Sequence, residues 1–282
     1  MFETAMTAGY PVAVITGACG GMGRACARVF ARSRRLILTD VHPERLASLA
    51  AEITDDGGAV LAQVAGDISK PATIQGVVDA IAQAGELTTL VHTAGVSPAL
   101  ADWRTIVEVN LGGTVRLLDA VEPLLAPRAA AVLIASIAGH MFLPTPEVAA
   151  VLDTAAEPGL ADRLEPHIPN GPHGPNGPAY GASKAGVMRV VEQRAKTWSE
   201  RGARIVSISP GLIATPMGLK EAREDEAVSS LLVKTPAGRW GTALDIASAA
   251  EFLASDRAGF VTGCDLRVDG GLIAALHHGA NA

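Results

Sequence analysis

The chain has 282 residues, enough for one large domain, and 49% apolar against 18% charged residues describes a folded protein. A net charge of −6 and a pI near 5.6 give no electrostatic reason to expect nucleic acid or an anionic membrane as a partner. The opening Met-Phe-Glu-Thr-Ala-Met has no basic region leading into an apolar stretch, and no apolar run reaches the roughly 18 residues of a membrane span, so a cytoplasmic protein without a signal peptide is expected.

Short apolar runs alternate with longer segments of helical period, the pattern of parallel strands joined by crossover helices. Strands are expected at Val12–Thr16, Leu36–Asp40, Val60–Val64, Thr89–Thr93, Ala131–Ala135, Ile205–Ser209 and Leu266–Val268, and helices from near Met22, Pro43, Pro71, Asp102, Ala179 and Leu244. The runs Val12-Ala-Val-Ile15 and Val132-Leu-Ile134 are continuous, as in strands covered on both faces. The fold class is therefore α/β: a single-domain, Rossmann-like, doubly wound parallel sheet of about seven strands with helices on both faces, over residues 1–282. One segment interrupts the alternation. Met141–Pro178 holds eight of the 17 prolines and ends in Gly171-Pro-His-Gly-Pro-Asn-Gly-Pro178. Within this insertion, Glu147–Ala156 and Gly159–Glu165 suit short helices, and its apolar positions suit either a substrate-covering lid or an interface.

Three cysteines (Cys19, Cys26, Cys264) form neither a disulfide framework nor a metal-ligand spacing, and seven histidines are scattered without a metal motif. The first strand runs directly into Thr16-Gly-Ala-Cys-Gly-Gly-Met-Gly23 and then a helix. Glycines there allow a tight turn and close approach of the backbone to a pyrophosphate at the helix N-terminus. Gly17, Gly21 and Gly23 give Gly-x-x-x-Gly-x-Gly, not the usual Rossmann spacing. Asp40 ends the second strand, placed to accept hydrogen bonds from ribose hydroxyls and to repel a 2′-phosphate, which favours NAD. Asp67-Ile68, after the third strand, falls near the adenine by the same ordering. Tyr180 and Lys184, four residues apart, share one helix face; an ammonium beside a phenol favours the phenolate.

Over nearly the whole chain these features resemble the short-chain dehydrogenase/reductase family. The matching residues are the Thr16–Gly23 loop, Asp67, Ala94-Gly95, Asn110, Ser136, Tyr180/Lys184, Pro210-Gly211-Leu-Ile-Ala-Thr215-Pro216 and Val268-Asp-Gly-Gly271. The resemblance implies that Asn110, Ser136, Tyr180 and Lys184 carry the chemistry, with Tyr180 as general acid/base and Lys184 on the nicotinamide ribose. It assigns cofactor contact to Gly17, Cys19, Gly21, Met22, Gly23, Asp40, Asp67, Ile68, Ala94, Gly95, Tyr180, Lys184, Pro210, Gly211, Ile213 and Thr215. It also implies a homo-oligomer, dimer or tetramer. Three departures stand out: His92-Thr-Ala-Gly95 replaces the usual Asn-Asn-Ala-Gly, only 15 residues separate Gly95 from Asn110, and 44 separate Ser136 from Tyr180. The last two resemble the bacterial 3α-hydroxysteroid dehydrogenase/carbonyl reductase branch, which implies an apolar secondary alcohol or ketone, steroid-like or cyclic. Two other classes fit parts of the pattern. A sugar-nucleotide epimerase or dehydratase shares Gly17-x-x-Gly20-x-x-Gly23, but generally has a longer C-terminal substrate domain. A non-catalytic NAD-binding regulator would not need Ser136, Tyr180 and Lys184 together.

Overall fold

A computed structural model describes residues 9–171 and 174–278; the N-terminal residues read for a signal peptide, and Pro172 and His173 of the Gly-Pro run, lie outside them. Seven parallel strands form one sheet in the order β3-β2-β1-β4-β5-β6-β7. They are β1 (Val12–Thr16), β2 (Arg35–Asp40), β3 (Ala59–Ala65), β4 (Leu87–His92), β5 (Leu125–Ile134), β6 (Arg204–Pro210) and β7 (Asp265–Val268). Each expected strand is present. β5 starts six residues early, passing through Arg128 at φ 66°, the one described non-glycine residue with positive φ. Burial follows position in the sheet: every residue of central β1 is buried, whereas edge strands β3 and β7 are partly exposed.

Alternation along β1 sorts its side chains into two cores, one on each sheet face. Val12 and Val14 join Ile37, Val77, Leu111 and Val187 on one face, while Ala13 and Ile15 join Cys26, Phe30, Leu49 and Leu253 on the other. The crossover helices α1 (Gly21–Phe30), α2 (Pro43–Asp55) and α3 (Pro71–Ala84) begin where glycine or proline permits a first turn. Next come α4 (Trp103–Val107), capped by Asp102, a π-helical segment Glu108–Gly113, and α5 (Thr114–Val121). The expected single helix from Asp102 is thus interrupted at Asn110.

Two helices form in the insertion, α7 (Pro146–Asp153) and α8 (Leu160–Leu164), after the short α6 (Ile137–Met141). Most of their apolar side chains turn inward, while the start of α8 (Gly159, Ala161, Asp162) borders a cleft that Asp67 and Ser69 also line. Val148, Leu152, Ala155, Leu160, Ala161 and Leu164 are buried in the same core as the strands, with Trp103 and Val109 packed beside them. Arg104 pairs with Asp162 and Glu165, and Arg189 of the long α9 (Asn176–Glu200) pairs with Asp153. Truncating a fully buried leucine such as Leu152 or Leu164 to alanine costs about 2–5 kcal/mol, so the insertion is an integral layer over α4 and α9 rather than a detachable flap. The remaining helices are α10 (Pro216–Glu224), α11 (Glu226–Lys234), α12 (Ala243–Ala254) and α13 (Leu272–His278).

Candidate active site

The strand order reverses between β1 and β4, and the loops leaving these strands meet there, the usual place for a ligand in an open α/β sheet. Gly17 has φ +62°, and a Cβ on it would lie 2.7 Å from the Ala94 nitrogen; one on Gly23 would lie 2.1 Å from the Gly17 oxygen. No side chain fits at either position. The turn brings α1 up with Gly20 as its N-cap, so no side chain occupies its first N–H groups. Asp40 stands beside this loop, one carboxylate oxygen accepting from Cys19 N (2.9 Å) and the other from His42 N (3.1 Å). The Cys19 thiol hydrogen-bonds the same carboxylate, which leaves one of its acceptor sites for a ribose hydroxyl. Of the two arginines that could meet a 2′-phosphate, Arg24 is paired with Glu52, while Arg45 lies near enough to act on the Cys19 thiol. Burial and the Asp40 carboxylate push the Cys19 thiol up to about 11, so it stays protonated at neutral pH.

Other expected cofactor residues divide in two. Thr215 packs against Gly21, where a Cβ would meet its side chain at 2.5 Å, and its hydroxyl caps α10 by accepting from Gly218 N. Gly211 sits against Asp269, following Pro210 at the end of β6. Met22 packs partly against the core, and Ala94 and Gly95 form the wall opposite the glycine loop. In contrast, the side chains of Ile68 and Ile213 are buried in the two cores, which leaves only their backbone for a ligand, and Asp67 is engaged with Ser69 N.

Ser136, Tyr180, Lys184 and Asn110 come together. Ser136 caps α6, accepting from Ala138 N at 3.1 Å, which leaves its own hydroxyl proton to donate. Tyr180 and Ser136 are joined by a side-chain hydrogen bond. The Lys184 ammonium lies 5.7 Å from the centre of the Tyr180 ring and donates to the Ile134 carbonyl at 2.8 Å. Asn110 holds the Val96 nitrogen and carbonyl with its two amide atoms (2.8 and 2.9 Å). Gly95 separates it from Lys184: a Cβ there would be 3.0 Å from Asn110 and 3.5 Å from Lys184.

Electrostatics corrects one expectation. The phenol is not lowered; burial, then the Glu221 carboxylate, push Tyr180 up to about 12, and only the Ser136 hydrogen bond works the other way. Burial also lowers Lys184 to about 8. Both charged forms lose hydration, and the ammonium lies over the ring rather than at the hydroxyl. Glu221 was not foreseen, because the α10 segment has no pose derivable from sequence. Its own carboxyl is raised, by burial first, with the Ser97 hydroxyl opposing. Neighbouring Lys220 ties α10 to the Ala99 carbonyl at 3.3 Å.

This fold, with a glycine turn at the switch point and a Ser/Tyr/Lys cluster beside it, defines a dinucleotide-dependent oxidoreductase class. The chain belongs to the short-chain dehydrogenase/reductase family: residues 11–149 match the short chain dehydrogenase family model, and residues 171–273 match that of enoyl-(acyl carrier protein) reductase. It is 33% identical to a D-threitol dehydrogenase of Mycolicibacterium smegmatis, over 92% of each chain. It is 31% identical to a galactitol 2-dehydrogenase (L-tagatose-forming) of Cereibacter sphaeroides, over 92% of this chain and 93% of that one. A solved short-chain type dehydrogenase/reductase from Mycobacterium ulcerans superimposes with a TM-score of 0.75 at 27% identity, covering 94% of this chain and 90% of that one. Among the described residues, no helix is long and apolar enough to cross a membrane.

Proposed function

We propose that the protein is an NAD-dependent dehydrogenase/reductase that interconverts a secondary alcohol and its ketone, with Tyr180 as the general acid/base. The observation that carries this reading is the meeting of Tyr180, Ser136 and Lys184 beside the glycine turn. NAD would supply the hydride acceptor in oxidation and, as NADH, the donor in reduction. Gly17–Gly23 would receive its pyrophosphate, Asp40 its adenosine ribose, and Lys184 its nicotinamide ribose. In ketone reduction Tyr180 donates its phenolic proton to the carbonyl oxygen while Ser136 hydrogen-bonds the same atom. In oxidation the phenolate takes the alcohol proton. The three free cysteines suit a reducing cytoplasm.

Cofactor choice tests the Asp40 assignment. kcat/KM is expected to favour NAD over NADP, and Asp40→Ala to narrow the gap by removing the repulsion of the 2′-phosphate. A preference of the unaltered enzyme for NADP would remove the ribose role.

The substrate class suggested by the insertion and the branch resemblance is an apolar cyclic or steroid-like alcohol. A second reading, a polyhydroxylated alcohol, is favoured by the Glu221 carboxylate acting on Tyr180, and the threitol and galactitol dehydrogenases named above are in keeping with it. A panel of steroid, cyclic and polyol alcohols separates the two. Glu221→Gln should raise KM only for polyols if the carboxylate receives a substrate hydroxyl. For any substrate it should also move the alkaline limb of alcohol oxidation to lower pH, since removing a nearby negative charge eases formation of the phenolate.

The homo-oligomer reading is kept, with one refinement. Family members commonly pack the helix carrying Asn110 and the helix carrying Tyr180 against partner copies; here α7 and α8 pack beside both, which favours a dimer through another face. Light scattering should give twice the chain mass; four times the mass would refute the obstruction.

A further inference from the structure

His92 stands at the end of β4, where the family usually has asparagine, and only 3% of it is exposed. Its imidazole joins two parts of the site. Nδ1 lies 2.7 Å from Thr16 Oγ1, at the mouth of the glycine loop, and Nε2 lies 2.8 Å from Thr114 Oγ1, one turn beyond Asn110.

The directions of these hydrogen bonds follow from counting protons. Thr114 Oγ1 donates its single proton to the Asn110 carbonyl at 2.7 Å. It can therefore only accept from His92, so Nε2 carries a hydrogen. Thr16 Oγ1 accepts from Ala94 N at 3.2 Å, and its own proton points to Nδ1. His92 is neutral, in the Nε2–H tautomer. Burial, and then the nearby Lys184 charge, lower its pKa to about 3, in agreement.

The chain of bonds thus runs one way, from Ala94 N–H through Thr16, His92 and Thr114 to the Asn110 carbonyl. Asn110 lies in the π-helical segment, where the regular i to i−4 ladder is broken and does not set its position. Its side chain grips Val96, while Ala94 is gripped by Thr16. The 94–96 wall is therefore held at both ends, and His92 connects the two grips from below. We propose that His92 is a positioning residue that fixes the distance between the dinucleotide loop and the Asn110 turn through this one-way chain.

Conservative variants at the two ends test it, because neither hydroxyl touches a reacting atom. Thr114→Val should lower kcat about 10-fold, the effect of roughly one buried hydrogen bond, and leave the NADH dissociation constant within about two-fold. Thr114→Ser should restore kcat to within about two-fold, since it returns the hydroxyl. Thr16→Val should instead weaken NADH binding by about 10-fold, because it releases the loop end of the chain. Long-range ¹H–¹⁵N spectra at pH 7 should show His92 neutral and protonated on Nε2. The proposal is overturned by an Nδ1–H or charged ring, by Thr114→Val matching wild type, by Thr114→Ser failing to restore kcat, or by both valine variants losing kcat and NADH affinity in equal proportion. The tautomer and the NADH dissociation constants need no substrate, so they stand even if no alcohol is turned over and the dehydrogenase reading itself fails.

Discussion

Tyr180→Phe is expected to lower kcat by roughly 10²–10⁴-fold, the usual worth of a general acid/base, while the NADH dissociation constant stays within about three-fold. The change deletes one hydroxyl and keeps the ring that lies under the Lys184 ammonium. It also removes the partner of Ser136, which retains its bond to Ala138 N and so keeps its place. Turnover and NADH affinity are measured separately by steady-state kinetics and fluorescence titration. If both fell together, Tyr180 would be a binding residue and not the proton donor. Lys184→Met is the useful contrast, because it empties the buried position beside Asn110 and should damage both quantities.

The second large effect is on acid stability. His92 is lowered to about 3 in the folded protein from an ordinary value of 6.5, so between those values the unfolded chain binds a proton that the folded one does not. The stabilisation is complete above pH 6.5 and is lost as pH falls towards 3. At about 1.4 kcal/mol per unit, the loss is roughly 2 kcal/mol by pH 5 and roughly 4–5 kcal/mol by pH 3. Glu221 acts in the opposite direction, since its raised carboxyl takes up a proton more readily in the folded state. Below pH 5 the carboxylates join in, Asp245 above all, held well down by Arg239 and the Thr242 cap. Between pH 6.5 and 5 the Glu221 contribution is common to wild type and His92→Asn, so the difference between the two proteins isolates the histidine. Urea unfolding of wild type across that window should show the decline, and His92→Asn should flatten it whatever its stability at neutral pH. An equal slope in both proteins would mean that His92 is not held neutral.

The alternation of strand and helix, the fold class and the place of the glycine turn were all legible in the chain. Buried runs such as Val12–Ile15 are apolar throughout, and glycine suits the positive φ of Gly17 and the close approach of Gly23 to the Gly17 oxygen. Such constraints act within a few residues of themselves, or repeat with a fixed period, and so leave a mark that sequence alone carries. Tyr180 and Lys184 share a helix face for the same reason. The electrostatics of that pair did not follow, because a pKa depends on what surrounds the group. Burial and Glu221, brought from 41 residues away by α10, push the phenol up, while the ammonium is turned to the ring and the Ile134 carbonyl. The insertion shows the same division. Its apolar residues promised a buried face, and packing between α4 and α9 determined which surface that face would cover. His92 could be read only as a departure from a family pattern until the fold placed Thr16 on one nitrogen and Thr114 on the other, because hydrogen bonds spanning 76 and 22 residues have no local signature.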